Sequence, residues 1–175
     1  RGWHITSTCG VFGAAVAAGK ILRLDIERMV WAMGAAATQS SGLAECLGTA
    51  SKSISVGNSA RNGLWSAMLA KDGLGGPAAP LEGKQGYFSA MGENPDWKAL
   101  TSRLGESWEL LKNAYKPYPG GIVVHPVIDA VLSLRADRSL TPEAIERIVV
   151  RGNPLLSQRT DRPNVTTGRE SQVST

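Results

Sequence analysis

Ionisable side chains in glycine-rich, non-periodic segments are the best placed to do chemistry, because loops can present them into a cleft. Three stand out. His4 lies in Gly2-Trp3-His4-Ile5-Thr6, just ahead of a helix start. Lys52 lies in Gly48-Thr49-Ala50-Ser51-Lys52-Ser53, read as a segment just ahead of another helix. Lys116 opens the loop Lys116-Pro117-Tyr118-Pro119-Gly120-Gly121. A cation beside helix N-termini helps to bind an anion, since free backbone N–H groups and the helix dipole add to its charge. Two lysines and a histidine suit a polycarboxylate, and either type moves protons when its pKa is tuned. Each residue also has a plainer reading. His4 can be a solvated or capping histidine, Lys52 a surface charge and Lys116 the solvating group of a rigid turn. Tyr118 can be a packing aromatic, and His125, directly before Pro126, a helix cap. Trp31, Trp65, Trp97 and Trp108 read as packing residues.

Other chemistries are not indicated. Gly10-Val11-Phe12-Gly13 does not complete a dinucleotide fingerprint and follows no predicted strand. Gly73-Leu74-Gly75-Gly76 lacks the Lys-Ser/Thr of a phosphate loop, and no serine sits in a nucleophile elbow. Cys9 and Cys46 form no CxxC and have no histidine at metal-ligand spacing, so no metal site is expected. Two cysteines suit a reducing compartment better than a disulfide framework, which with the lack of a signal peptide gives a cytoplasmic expectation.

The elements that must position these residues are mostly helical. Residues 8–23 read as a tightly packed helix with Thr8 as N-cap and Lys20 and Arg23 in its last turn. Asp25 caps a second helix running to about Thr38, with Ile26, Met29, Val30 and Met33 at helical spacing. Residues 43–57 read as short and irregular. Asn58 caps a third helix to about Lys71, with Ala60, Leu64, Ala67 and Met68 on one face. A short helix follows around Asp96 to Leu104. Trp108, Leu110 and Leu111 read as a strand, Pro126 to Leu134 as a helix, and Thr141-Pro142-Glu143 as a single helix-start turn. Glu146 to Arg151 alternates around Ile148 and Val150 and reads as a second strand. The fold class is therefore mostly α with an α+β part: the end of an all-helical domain (1–100), then the start of a smaller α/β domain (101–175).

Composition bounds the rest. The 175 residues are 42% apolar and 19% charged, a folded globular balance. Up to residue 100 there are 9 basic and 7 acidic residues, and beyond it 10 and 8, so each part carries +2 and neither forms a basic stripe. Nucleic acid is an unexpected partner. The longest apolar run, Val11 to Ala18, is too short to span a bilayer, so no membrane partner is expected. The chain opens Arg1-Gly2-Trp3 without Met and stops at Thr175 without a cap, so the natural protein is expected to be longer. Apolar faces such as Val11, Ile21, Leu64 and Met68 are then expected to be partly uncovered, which favours aggregation of the isolated chain.

Three strings carry a resemblance: GWHITSTCGVFGAAVAAGKILRLD, TASKSISVGNSARNGL and KPYPGGIVVHPVIDA. Together, in this order and at these intervals, they are similar to the MmgE/PrpD family, which includes 2-methylcitrate dehydratase, cis-aconitate decarboxylase and iminodisuccinate epimerase. The resemblance runs over nearly all of the chain and places it in the middle of a longer protein. It implies that His4, Lys52 and Lys116 are catalytic and that Tyr118 and His125 touch the substrate. All five would stand around a di- or tricarboxylic acid at a domain junction. It further implies no metal or other cofactor, and a homodimer. Asn164 to Glu170 resembles the stretch before a substrate-side loop.

The implied activity is a metal-independent lyase that dehydrates a hydroxy di- or tricarboxylic acid, such as the 2-methylcitrate of propionate catabolism. Lys52 and Lys116 would hold carboxylates and stabilise developing negative charge. His4 would transfer the proton next to a carboxyl group, with a lysine as its rival. Two departures matter. Some members, notably the decarboxylases, carry a histidine soon after Lys-x-Phe-Pro, where this chain has Gly120 and Gly121, which points away from decarboxylation. The family's acidic and histidine residues from further upstream are not in this chain, so a site of these residues alone is incomplete. The alternatives are epimerisation of a dicarboxylic amino acid derivative, a non-catalytic polycarboxylate-binding homologue, or a truncated, unstable gene product.

Overall fold

Small side chains set the packing. In the computed structural model, which describes residues 2–138 and 140–160, helix α1 (Ile5–Ile21) and helix α3 (Ala50–Lys71) run side by side in parallel. Their register is read from neighbouring pairs: Ser7 meets Ser55, Gly10 meets Ser59, and Val11, Ala14 and Ala15 meet Gly63. A Cβ placed on Gly63 would lie 2.6 Å from both the Ala15 nitrogen and the Val11 carbonyl oxygen and would collide with the Ala14 methyl. The two backbones touch, and glycine is what permits it. Helix α2 (Ile26–Ala37) folds back against both. Ala36 joins Val11 and Ala15 with Phe12 alongside, while Ala32 joins Ala67 and Ala70 under Leu22, Leu24 and Trp31.

Local chemistry explains where these helices start. Asp25 caps α2 by accepting the Arg28 amide at 2.8 Å, as its sequence position predicts. The cap of α1 is His4, not Thr8. Thr8 is buried one turn inside, and its hydroxyl bonds back to the carbonyls of His4 and Ile5. The third helix starts at Ala50, eight residues before the Asn58 cap expected from the sequence, so residues 50–57 are helical and not irregular. Its buried face also differs from the apolar stripe: Ser59, Gly63, Ser66, Ala67 and Ala70 point inward, while Leu64 and Met68 are exposed. Close approach of two backbones selects small residues over large apolar ones. For the same reason Val11 is fully buried between helices, whereas Ile21, Leu64 and Met68 are open, as expected of them.

Beyond α3 the chain turns at Gly73 and runs through prolines to helix α4 (Tyr87–Met91) and helix α5 (Trp97–Thr101), the latter capped by Asp96. Tyr87, Phe88 and Trp97 stack edge to face in sequence, with Phe12 of α1 under Tyr87. The chain divides into two compact units, the first Arg1–Cys46 with Ala50–Glu109, the second Leu47–Thr49 with Leu110–Thr175.

The second unit holds helix α6 (His125–Arg138), a short helix α7 (Pro154–Thr160), and 3-10 turns at Glu109–Lys112, Ile122–Val124 and Pro142–Ala144. The first of these turns begins at the last residue of unit one. Thr141 caps the last turn with Pro142 at its first position, as its sequence predicts. Both expected strands are corrected. Leu110 and Leu111 lie in a 3-10 turn, and Glu146 to Arg151 belongs to no strand. A strand exists only when a neighbour completes its hydrogen-bond ladder. Among the described residues the sole β pairing is an isolated bridge between Trp3 and Leu43.

Candidate functional site

The five residues singled out by sequence divide between the two units. In the first, His4 is the N-cap of α1 and half-buried. Its backbone is pinned: the His4 amide donates to the Gly42 carbonyl at 3.0 Å, and the Ala44 amide donates to the Gly2 carbonyl at 2.7 Å. Gly42 has φ +130°, and a Cβ there would stand 2.5 Å from that of Ser7, so only glycine allows this crossing. The imidazole Nδ1 lies 2.9 Å from the Ser7 hydroxyl, and the Ser7 hydroxyl lies 2.9 Å from that of Ser55. The Ser55 hydroxyl donates to the Lys52 carbonyl at 2.8 Å. His4 and Lys52, 48 residues apart, are thus joined through two serines that the sequence reading did not single out. Ser7 could have been suspected, three residues after His4 on the same helix face. Ser55 is found only through the tertiary contact.

Lys52 lies in the first turn of α3 and not ahead of it, and its side chain is exposed. Because α1 and α3 are parallel, their N-termini share one end of the bundle. Neither helix has an acidic residue in its first turn, although acids are favoured there, whereas α2 carries Asp25 and Glu27 at its own start. Two helix N-termini without first-turn acids, a histidine and a lysine therefore collect at one end of the bundle, and the arrangement can attract a carboxylate.

In the second unit, Lys116 is exposed and its ammonium donates to the Gly120 carbonyl at 3.0 Å, closing the Pro-Tyr-Pro-Gly loop on itself. The Tyr118 hydroxyl donates to an Asp129 carboxylate oxygen at 2.5 Å. That hydrogen bond, with the nearby negative charge, holds the Tyr118 phenol above its ordinary pKa of 10.0. Asp129 is the partner that sequence reading missed. It lies one turn along α6 from His125, whose ring meets that of Tyr118 edge to face at 5.4 Å. His125 opens α6, is buried, and its Nε2 has no hydrogen-bond partner among the described residues. A buried polar nitrogen without a partner is costly and suits a group that meets a ligand.

An apolar groove of 610 Å³ also lies in this unit, between α6 and residues 148–156. It is lined by Val127, Val131, Leu134, Ile148 and Val150 among others, and among the described residues Arg151 is its one cation, so it does not suit a polycarboxylate. Among the described residues no group of three or more His, Cys, Asp or Glu side chains could hold a metal ion. No helix there is long and apolar enough to cross a membrane. Asn164 to Glu170 lies outside the described residues.

Residues 1–100 match the family model of the MmgE/PrpD N-terminal domain. The chain is 34% identical over 156 residues to a human protein named cis-aconitate decarboxylase, covering 85% of this chain and 32% of the relative. It is 32% identical over 143 residues to the cis-aconitate decarboxylase of Aspergillus terreus, covering 77% and 29%. The mouse protein of the same name is 31% identical over 157 residues, covering 85% and 32%. The chain thus spans about a third of the length of these curated relatives. The chain belongs to the MmgE/PrpD family.

Proposed function

We propose that this chain carries part of the active site of a cofactor-independent carboxylic-acid lyase acting on a di- or tricarboxylate. The observation that carries the reading is the shared end of α1 and α3, where His4 and Lys52 stand at two helix N-termini free of first-turn acids. A polycarboxylate needs fixed positive charge to hold it, and the proton next to a carboxylate is poorly acidic until the developing negative charge is stabilised. Lys52 and Lys116 supply that charge, His4 transfers the proton, and Tyr118 and His125 contact the substrate. Residues 1–100 would belong to the helical domain and 101–175 to a smaller second domain, in a homodimer.

Loss of water from a hydroxy acid such as 2-methylcitrate is the first reading. His4 takes the proton from carbon, the C–O bond breaks with its electrons on oxygen, and a proton delivered to the leaving hydroxide completes water. The names of the relatives favour a second reading, loss of CO₂ from cis-aconitate. The C–C bond to the departing carboxylate then breaks, and the proton moves the opposite way, from His4 to carbon. Gly120 and Gly121, in place of the histidine noted above, weigh against this second reading.

The test is proton NMR of the full-length protein with a panel of hydroxy- and unsaturated polycarboxylates. Vinyl signals formed from a hydroxy acid support water loss, and CO₂ release from cis-aconitate supports decarboxylation. Deuterium exchange in D₂O without either product points to epimerisation. Thermal stabilisation by polycarboxylates without any turnover would reduce the protein to a binding homologue and sink the lyase reading.

A further inference from the structure

We propose that Ser7 is a positioning residue, which holds His4 in the Nδ1–H tautomer and leaves Nε2 as the nitrogen that exchanges the substrate proton. The inference deepens the functional reading above and rests on it for the role of His4. It follows from counting protons along the chain of contacts between His4 and Lys52. A serine hydroxyl has one proton to give and lone pairs to accept with. Ser55 gives its proton to the Lys52 carbonyl at 2.8 Å. At the 2.9 Å contact between the two hydroxyls, Ser55 therefore accepts and Ser7 donates. With its proton used there, the Ser7 oxygen accepts from His4 at 2.9 Å, so Nδ1 carries the hydrogen. The direction is set at the far end by a backbone carbonyl, which can only accept.

The surroundings hold this arrangement in place. Ser7 is fully buried, so water does not replace its hydroxyl. Its own carbonyl accepts from the Ser59 hydroxyl at 2.6 Å, a second tie between α1 and α3. Its Cβ packs against Gly42, whose carbonyl receives the His4 amide. One edge of the imidazole is thus committed to protein, and the other is left for chemistry. A base whose second nitrogen is fixed by a hydrogen bond needs no reorientation at the moment of reaction.

The experiment is two-bond nitrogen–proton NMR of the full-length protein labelled with ¹⁵N-histidine, above the ordinary histidine pKa. The His4 signals are assigned by their loss in His4→Gln. Wild type should show His4 with a protonated Nδ1 and a bare Nε2. Ser7→Ala should remove this preference. Ser55→Ala, which leaves Ser7 in place but frees its proton for Nδ1, should reverse it. The Ser55 variant also stands in if the buried Ser7 variant fails to fold. Turnover of a polycarboxylate should fall about ten- to hundredfold in kcat with KM little changed in Ser7→Ala, a fraction of what general acid–base catalysis supplies. An Nε2–H tautomer in wild type, or an Nδ1–H tautomer that survives both substitutions, overturns the proposal. If the tautomer pattern holds but no polycarboxylate is turned over, the functional reading fails and the tautomer assignment stands.

Discussion

Gly63→Ala tests the packing that positions the site. The new methyl would lie 2.6 Å from two backbone atoms of α1, where ordinary carbon contacts are about 3.5–4 Å. No flexible side-chain end can swing away, because the obstacles are a backbone nitrogen, a carbonyl oxygen and an alanine methyl. The helices must separate by about 1 Å at this point. Overpacking of this kind costs up to about 3 kcal/mol. Alanine returns about 1 kcal/mol of helix propensity over glycine. The net loss is about 2 kcal/mol, or a fall of about 4–8 °C in Tm for a chain of this size. Gly57 is the internal control. It lies in the same helix with nothing within 4 Å of a built Cβ, so Gly57→Ala should gain about 1 kcal/mol and melt about 2–4 °C higher. Thermal melts of both variants by circular dichroism make the comparison. If Gly63→Ala is as stable as Gly57→Ala, the helices do not touch as described, and the Ser7–Ser55 link between them loses its foundation.

Other consequences are smaller but separable. Asp25→Ala removes the acceptor of the Arg28 amide and should cost about 1 kcal/mol by denaturant titration, with the exposed Arg28–Asp25 ion pair adding little. Lys52→Ala should lower kcat by about 10²–10³-fold if the lysine stabilises developing charge, with the melting temperature nearly unchanged because its side chain is exposed. Asp129→Asn should bring the Tyr118 phenol back down toward 10.0, read as an earlier rise of tyrosinate absorbance on alkaline titration. The sign follows from a folded-state pKa that is raised. The stabilisation from this hydrogen bond is fully present below the ordinary tyrosine pKa and is lost as pH climbs through the raised value. Superimposable alkaline titrations of wild type and Asp129→Asn would count against the bond.

What the sequence made legible was local. Asp25 three residues before Arg28, and Thr141 ahead of Pro142, announce helix starts through chemistry contained in a few residues, and both stand in the structure. The start of α3 was hidden because Ser51, Ser53, Ser55 and Gly57 carry no apolar period. They are helical because α1 packs against that stretch, a tertiary fact with no local signature. The inward face of α3 was misread for a related reason. Hydrophobic periodicity selects large residues such as Leu64 and Met68, while a contact between two backbones buries serine, glycine and alanine. The alternation around Ile148 and Val150 has the period of a strand, but pairing is a property of two segments, and one segment cannot reveal its neighbour.

The candidate site divides in the same way. His4 and Lys52 were visible because charged groups in glycine-rich, aperiodic stretches stand out. Ser7 and Ser55 were not, since serines are common on helices and only the parallel register of α1 and α3 brings this pair together. Asp129 was missed because a carboxylate on a helix reads as a solvated face until the Tyr118 hydroxyl is seen to reach it.

The proposed lyase makes or breaks a carbon–hydrogen bond next to a carboxylate, and incubation with polycarboxylates in D₂O reads this directly. Wild-type full-length protein should give an alkene or place deuterium at the carbon beside the carboxylate, and Lys52→Ala should do so about 10²–10³-fold more slowly. A wild-type protein that binds these acids and leaves every carbon-bound hydrogen untouched would contradict it.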